Sequence, residues 1–288
     1  MAAFLPVFLF LGFLDSGKTT LINDLLEAGS FSKVPTLMLL TEEGEEVLQL
    51  PEPYAGLVTV QTVYAPEQLT RSQLLQWQQE ARARQVIVEY NGLWPLAPLA
   101  ENKPGNWFSS QVFLTADGQT FPMYNQNLRA RTAEHLKLCS IAMFNRVSEQ
   151  VDTAVLRRLL RALNRKAAIY YETVSGDCTL DESRDQLPYD LTADAFQVDD
   201  TAFSVFQLDL RTEPQRYDGK RISFTGQFFA DQKSGQMQLG RQVMTCCEAD
   251  MEFVLFPVSR ADCPIPGNGS WIRADVVVNV AGGMPSLT

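Results

Sequence analysis

Residues Gly12-Phe-Leu-Asp15-Ser16-Gly17-Lys18-Thr19-Thr20 place glycine, glycine, lysine and threonine at the spacing GxxxxGK[ST]. That spacing suits the gripping of a polyphosphate. Glycines let the chain fold back so that backbone N–H groups converge on phosphate oxygens. A helix starting at Gly17 adds the positive end of its dipole. In such a loop Gly12, Asp15, Ser16, Gly17, Lys18, Thr19 and Thr20 surround a nucleotide. Lys18 reaches the β- and γ-phosphates, and the Thr19 hydroxyl ligates Mg²⁺. A carboxylate is needed beside that ion. Glu89, which ends the apolar run Val86-Ile-Val, is the expected one, so Lys18 and Glu89 are the candidate catalytic pair. Glu42 is a further candidate magnesium ligand. It belongs to the cluster Glu42, Glu43, Glu45 and Glu46, whose charges repel unless a cation or solvent relieves them. A solvated acidic loop is the alternative reading of that cluster.

Such a site needs a buried strand before the loop and an amphipathic helix after it. Pro6–Leu11 is almost wholly apolar, as a parallel strand buried on both faces reads. In Gly17–Glu27, Leu21, Ile22, Leu25 and Leu26 share one side. Further strands are expected at Val34–Leu40, Leu57–Val63, Gln85–Glu89, Gln111–Thr115, Leu138–Phe144 and Ala167–Glu172. Helices are expected at Glu67–Arg84, around Thr132–Leu136 and at Glu149–Leu163. This alternation predicts an α/β fold, a doubly wound and mainly parallel sheet. It also places Glu89 and the Glu42 cluster at the carboxyl edge of the sheet, where ligands bind.

The pattern changes after residue 175. Residues 176–200 lack helix or strand periodicity. Ser175–Asp200 carries eight acids against one base, although the whole chain of 288 residues has a net charge of −10. This stretch reads as an acidic linker between a domain at 1–175 and a domain at 201–288. In the latter, Phe203–Leu210, Arg221–Phe229, Met237–Gln242, Met251–Phe256 and Trp271–Val280 are read as five strands, with turn chemistry at Asp218–Gly219, Gly235 and Gly267–Gly269. No helix of normal length is expected there. Five short strands predict a small all-β, OB-like barrel.

So acidic a chain is a poor general binder of nucleic acid. No stretch reaches the roughly 18 apolar residues of a membrane helix, and the apolar run Phe4–Leu14 reads as a buried strand rather than a signal peptide. Five cysteines in so long a chain argue for a reducing, cytoplasmic setting rather than a disulfide scaffold. Cys246 and Cys247 are adjacent, and a vicinal disulfide is strained. They can instead offer thiolates to a soft metal such as Zn²⁺, with Asp250 or Cys263 close in sequence. The competing reading is two small buried residues on a strand. His135, the only histidine, is expected on a helix surface. Arg157, Arg161 and Arg165 recur every four residues and predict a solvated basic helix face.

These motifs resemble those of the CobW/HypB/UreG family of GTPases, most closely its CobW-like metallochaperone branch. The family's GFxGSGKTT corresponds to Gly12–Thr20. Its switch motif NExGExGID corresponds to the segment from Thr41-Glu42-Glu43-Gly44-Glu45, and its E(T/S)xG to Glu89-Tyr90-Asn91-Gly92. Its base-reading NKxD corresponds to Asn145-Arg146-Val147-Ser148. The resemblance covers residues 4–175. It implies a P-loop NTPase that binds GTP (or ATP) with Mg²⁺, contacts the nucleotide through Asn145 and Arg146, and serves a metal ion or a metalloprotein client. The chain departs from the family at several points. It has no cysteine before Cys139 to make the family's CxCC metal motif. Asp15 replaces a glycine, and Ser148 replaces the guanine-reading aspartate. The segment Gly240–Asp250, with its Cys246-Cys247 pair, resembles the soluble domain of YcgQ-type proteins, which accompany membrane permeases. Three roles stay open: a slow NTPase in metal handling, a nucleotide-gated regulatory partner of a permease, and a P-loop kinase.

Overall fold

The runs of apolar residues between helices become the strands of one sheet. In the computed structural model, residues 4–183, 187–231, 235–244, 251–259 and 265–288 are described. The chain divides into two units, Met1–Leu160 with Lys166–Glu182, and Arg161–Arg165 with Ser183–Thr288. The N-terminal elements are β1 (Leu5–Leu11), α1 (Lys18–Glu27), β2 (Thr36–Leu40), β3 (Val58–Thr62), α2 (Arg71–Glu80), β4 (Gln85–Glu89), α3 (Ala97–Asn102) and β5 (Trp107–Asp117). They continue with α4 (Phe121–Asn127), α5 (Arg129–Leu138), β6 (Ile141–Val147), α6 (Thr153–Arg161), β7 (Ala168–Thr173) and β8 (Cys178–Leu180).

Among the described residues the first sheet has eight strands in the order β3-β2-β4-β1-β5-β6-β7-β8. Every pair is parallel except β7 with β8. Parallel strands need crossovers, and these put helices over the faces. The central strands are therefore buried on both sides, which is why β2 and β4 read as unbroken apolar runs. Helix α1 packs Ile22 and Leu26 into a core with Phe10, Met38 and Ile87. Strand β1 has β4 on one side and β5 on the other, so its carboxyl end lies where the strand order turns. Open α/β sheets bind ligands at such a point.

The second unit contains β9 (Ala195–Val198), α7 (Phe203–Thr212), β10 (Arg221–Ala230), β11 (Met237–Met244), β12 (Met251–Val258), β13 (Trp271–Ala281) and β14 (Met284–Leu287). The strands run β11-β12-β14-β13-β10-β9, and a β10–β11 pairing closes five of them into a barrel. Closure removes the exposed edges that would otherwise invite aggregation. Phe206 and Leu210 of α7 are buried with Tyr217, Phe224 and Phe256. Asp209 is also buried. Its carboxylate accepts the Tyr217 hydroxyl at 2.6 Å and pairs with Arg165 at 2.7 Å.

The expected strand at Phe203–Leu210 is a correction. It is a helix, buried at Phe203, Phe206, Gln207 and Leu210. Phe206, Leu208 and Leu210 also alternate as they would in a strand. The Asp199 carboxylate accepts the amides of Thr201 and Ala202 and turns the chain into the helix. The fifth barrel strand is instead the short β14. Residues 176–200 are not a plain acidic linker, because β8 joins the first sheet and β9 pairs in parallel with β10. Tyr189 of this stretch stacks on Phe196 and bonds the Tyr217 hydroxyl.

The basic helix face is corrected as well. Arg157 pairs with Asp181 and Arg165 with Asp209, and the arginine side chains are largely buried. Cys246, Cys247, Asp250 and Cys263 lie outside the described residues. Among the described residues no helix is long and apolar enough to cross a membrane.

Candidate functional site

The site begins where β1 stops. Gly12 to Ser16 turn back over the sheet, and α1 starts after Gly17, whose φ of 95° favours glycine. A side chain there would also strike the Asn145 amide. Lys18 is only 3% exposed. Its ammonium donates to the carbonyls of Gly12 and Phe13 at 3.0 and 2.9 Å and forms an ion pair with Glu42. Buried ammonium groups persist only with such partners.

Parallel pairing of β1 with β4 aligns Phe10 with Glu89, so the carboxylate arrives beside the start of α1. The Thr19 hydroxyl donates to Glu89 Oε1 at 2.7 Å. Glu89 is 4% exposed. Burial pushes its pKa up, while Thr19 and Lys18 pull it down and Glu42 adds to the rise. Thr41 closes the corner, donating to the Glu89 carbonyl at 3.0 Å and accepting the Asn91 amide at 2.5 Å. A cavity lined by Gly17, Lys18, Thr19, Glu42, Glu89 and Arg146 results.

Asp15 holds φ 56°, a left-handed conformation that aspartate tolerates better than most residues. Its carboxylate accepts the Glu45 amide at 3.1 Å and so ties the loop to the glutamate cluster. Asn23 holds the far end of that cluster, donating to the Val47 carbonyl and accepting the Gln49 amide. Across the loop, Asn145 donates to the Ser16 carbonyl at 2.7 Å, and Arg146 donates to the Asp15 carbonyl at 3.1 Å. Arg146 also pairs with Asp117. The Ser16 hydroxyl meets Thr115 Oγ1 at 2.9 Å. Thr20 lines the cavity.

Every described residue proposed from sequence for phosphate or base contact therefore converges on one sheet edge. Glu42 and Glu89 flank Lys18 and Thr19, whereas Glu43 is exposed. Sequence reasoning missed Thr115 and Asp117, and met Thr41 only as the first letter of the motif before Glu42. Their shared signal is position at or just past the carboxyl end of a parallel strand.

His135 is a correction. It is 1% exposed rather than on the surface, beside Phe13, which stacks on Tyr124. Burial first, then Lys18 and Arg131, lower its pKa to about 4. It is therefore neutral at neutral pH.

The oxygen donors fit magnesium, a hard cation commonly held by one or two carboxylates plus substrate phosphates. Among the described residues no group of three or more histidine, cysteine, aspartate or glutamate side chains could hold a metal. Thr19, Glu89 and Glu42 would instead supply a hydroxyl and two carboxylates.

Residues 176–283 match the family described as "DUF1980 C-terminal domain", so the β unit carries a family match of its own. No curated protein matches the chain. Among solved structures, the chain is similar to the Zn(II)-bound YjiA GTPase of E. coli, at 14% identity and TM-score 0.46, covering 94% of this chain and 92% of that one. It is also similar to the hydrogenase maturation factor HypB of Archaeoglobus fulgidus, at 14% identity and TM-score 0.42, covering 60% and 82%. The 54 kDa signal recognition particle protein of Aeropyrum pernix, in complex with GDP, matches at 14% identity and TM-score 0.38, covering 62% and 44%.

Proposed function

We propose that the N-terminal unit binds a nucleoside triphosphate, GTP in preference to ATP, with Mg²⁺ and hydrolyses it slowly in the service of metal handling. One observation supports this most: Lys18 is buried and folded back on the carbonyls of its own loop and on Glu42, beside the Thr19–Glu89 pair. The Glu42 carboxylate neutralises the ammonium, and the two carbonyls accept its N–H groups. Phosphate oxygens would offer the same ammonium a competing counter-charge, which would leave Glu42 available to a cation.

Phosphoryl transfer to water asks little covalent chemistry of a protein, so the residues act by positioning and charge. Lys18 and the loop amides hold the phosphates. Thr19, Glu89 and Glu42 would hold a magnesium ion, which would supply positive charge to stabilise the γ-phosphate. Asn145 and Arg146 brace the loop through Ser16 and Asp15. The metal-handling part of the reading rests on the motif resemblance to CobW-like proteins. A metalloprotein client and a cytoplasmic setting belong to the same proposal, as does a soft-metal role for Cys246 and Cys247.

The Glu89→Gln substitution keeps the shape and removes the charge. It is expected to abolish the tightening of nucleotide binding by Mg²⁺ and to lower turnover roughly 10²-fold, the scale for losing one positioned charge. Binding without Mg²⁺ should change little. Titrations with and without the ion check this, and an unaltered Mg²⁺ dependence would remove Glu89 from the site.

One observation favours a second reading, a nucleotide-gated partner of a membrane permease with little hydrolysis. The 42–49 loop is fastened at Lys18, Asp15 and Asn23, and displacing Glu42 from Lys18 would release one of the three fastenings. Tight binding with turnover no faster than that of Lys18→Ala would select it.

A further inference from the structure

A second cavity, of about 590 Å³, opens beside the phosphate cavity. The two share Gly17, Thr20 and Arg146, but Lys18, Thr19, Glu42 and Glu89 line only the first. The second therefore lies at the end of the phosphate chain away from the lysine and the carboxylates. A nucleoside extending from the phosphates away from Lys18, past Gly17 and Thr20, would enter it. Another cavity, of about 310 Å³, touches the loop at Phe13–Ser16. One of its polar groups, Asp117, is occupied by the amides of Gln119 and Thr120.

Strand register says which side chains meet the nucleoside. Phe144 pairs with Tyr171 and Val147 with Thr173, so Asn145 and Arg146 together stand against Glu172 alone. Such a bulge re-aims side chains and is common beside active sites. Here Arg146 adopts φ 52° and reaches back to Asp15 and Asp117. Asn145 lies across Gly17 with its Nδ2 on the Ser16 carbonyl. It is 8% exposed, and its Oδ1 has no hydrogen-bond partner among the described residues. Arg146 is thus committed to Asp15 and Asp117 and the Asn145 Nδ2 to Ser16, whereas Asn145 Oδ1 keeps a lone pair for a donor. Glu172, near the carboxyl end of β7, lines the cavity opposite them. Its carboxyl is half-buried. Burial, then Asp24, raises its pKa, and Arg146 lowers it.

We propose that Glu172 reads the base, its carboxylate accepting the two adjacent N–H groups of guanine, N1 and the 2-amino group, so that the cavity selects guanine over adenine nucleotides. This rests on the nucleotide reading above and adds the residue that sets its specificity. A carboxylate offers two acceptor oxygens and no donor. Two parallel charge-assisted bonds are strong and directional. Adenine has one amino donor beside the N1 lone pair, which a carboxylate repels. A site built for donors loses affinity steeply when one is missing, because its own polar group is left unpaired.

Equilibrium titrations with fluorescent GDP, ADP, IDP and XDP test this on the full chain with Mg²⁺. Wild type should bind GDP at least about tenfold more tightly than ADP, with IDP, which lacks the 2-amino group, between them. Glu172→Ala should bring GDP and ADP to within about threefold of each other, mainly by weakening GDP. Glu172→Gln, close in shape, presents one acceptor and one donor. It should gain XDP, whose N1–H lies beside a carbonyl, and it carries the test if the alanine variant fails to fold.

Equal binding of GDP and ADP by wild type would overturn the proposal. So would a GDP preference that survives both substitutions, or one that is lost in Asp24→Asn and kept in Glu172→Gln. If wild type binds none of the four, the nucleotide reading itself fails and this inference with it. GDP binding with an unmoved preference refutes Glu172 alone.

Discussion

Lys18→Ala is expected to weaken triphosphate binding by about 10²–10³-fold, the scale for truncating one partner of a buried charge pair. The ammonium is the buried cation in contact with Gly12, Phe13 and Glu42, and nothing else on the loop replaces it. Two losses combine. The phosphates lose their cation. In the free protein the largely buried Glu42 carboxylate loses its counter-charge, and a carboxylate left buried and unpaired is costly. The 42–49 loop is then expected to open in the variant even without ligand, although Asp15 and Asn23 still hold it. Fluorescent-nucleotide titration reads the first loss, and protease sensitivity at residues 42–49 reads the second. Affinity within threefold of wild type would mean that the lysine does not face phosphate.

Gly92→Ala has the second large effect, for a different reason. A Cβ at Gly92 would run into the Gly12 carbonyl and the Phe13 Cα at 2.7 Å, both main-chain atoms of the turn after β1. Main chain cannot swing aside as a side chain can. The segment carrying Gly92 cannot easily retreat either. The Tyr90 amide donates to the Phe10 carbonyl at 2.9 Å, and the Tyr90 hydroxyl donates to the Pro95 carbonyl at 2.6 Å. One methyl group must therefore displace the loop. The expected cost is about 1–3 kcal/mol of stability, as for overpacking elsewhere, together with a loss of nucleotide affinity of about tenfold or more. Urea unfolding at constant slope gives the first, and titration of the folded variant gives the second. A variant with wild-type values in both would show that the two segments do not touch.

These contrasts show what a sequence makes legible. The turn and helix start at Gly12–Thr19 are legible because each position has a local backbone task, and the strand end at Glu89 because it closes an apolar run. Gly92 is visible as a letter of a motif, but its reason, close approach to Gly12, exists only once β1 and β4 pair. Thr115 and Glu172 lie within strand runs whose own sequence marks no site. Strand order brings Thr115 to Ser16 and Glu172 to the cavity beside Gly17. His135 reads as a surface residue because Arg131, Glu134 and Lys137 surround it in α5, and its burial comes from docking against Phe13. Helix α7 reads as a strand because Phe206, Leu208 and Leu210 alternate, while Phe203 with Phe206 and Leu210 keeps helical spacing. The short strands β8, β9 and β14 carry too few residues to show a period at all.

The most direct test is a calorimetric titration of the folded wild-type chain with GTP, and separately with ATP, in the presence of Mg²⁺. One nucleotide per chain should bind, with a dissociation constant of roughly micromolar order or tighter, and omitting Mg²⁺ should weaken the binding. No binding of either nucleotide at about millimolar concentration, to protein shown to be folded, would contradict the assignment of Gly12–Thr19 as a phosphate site.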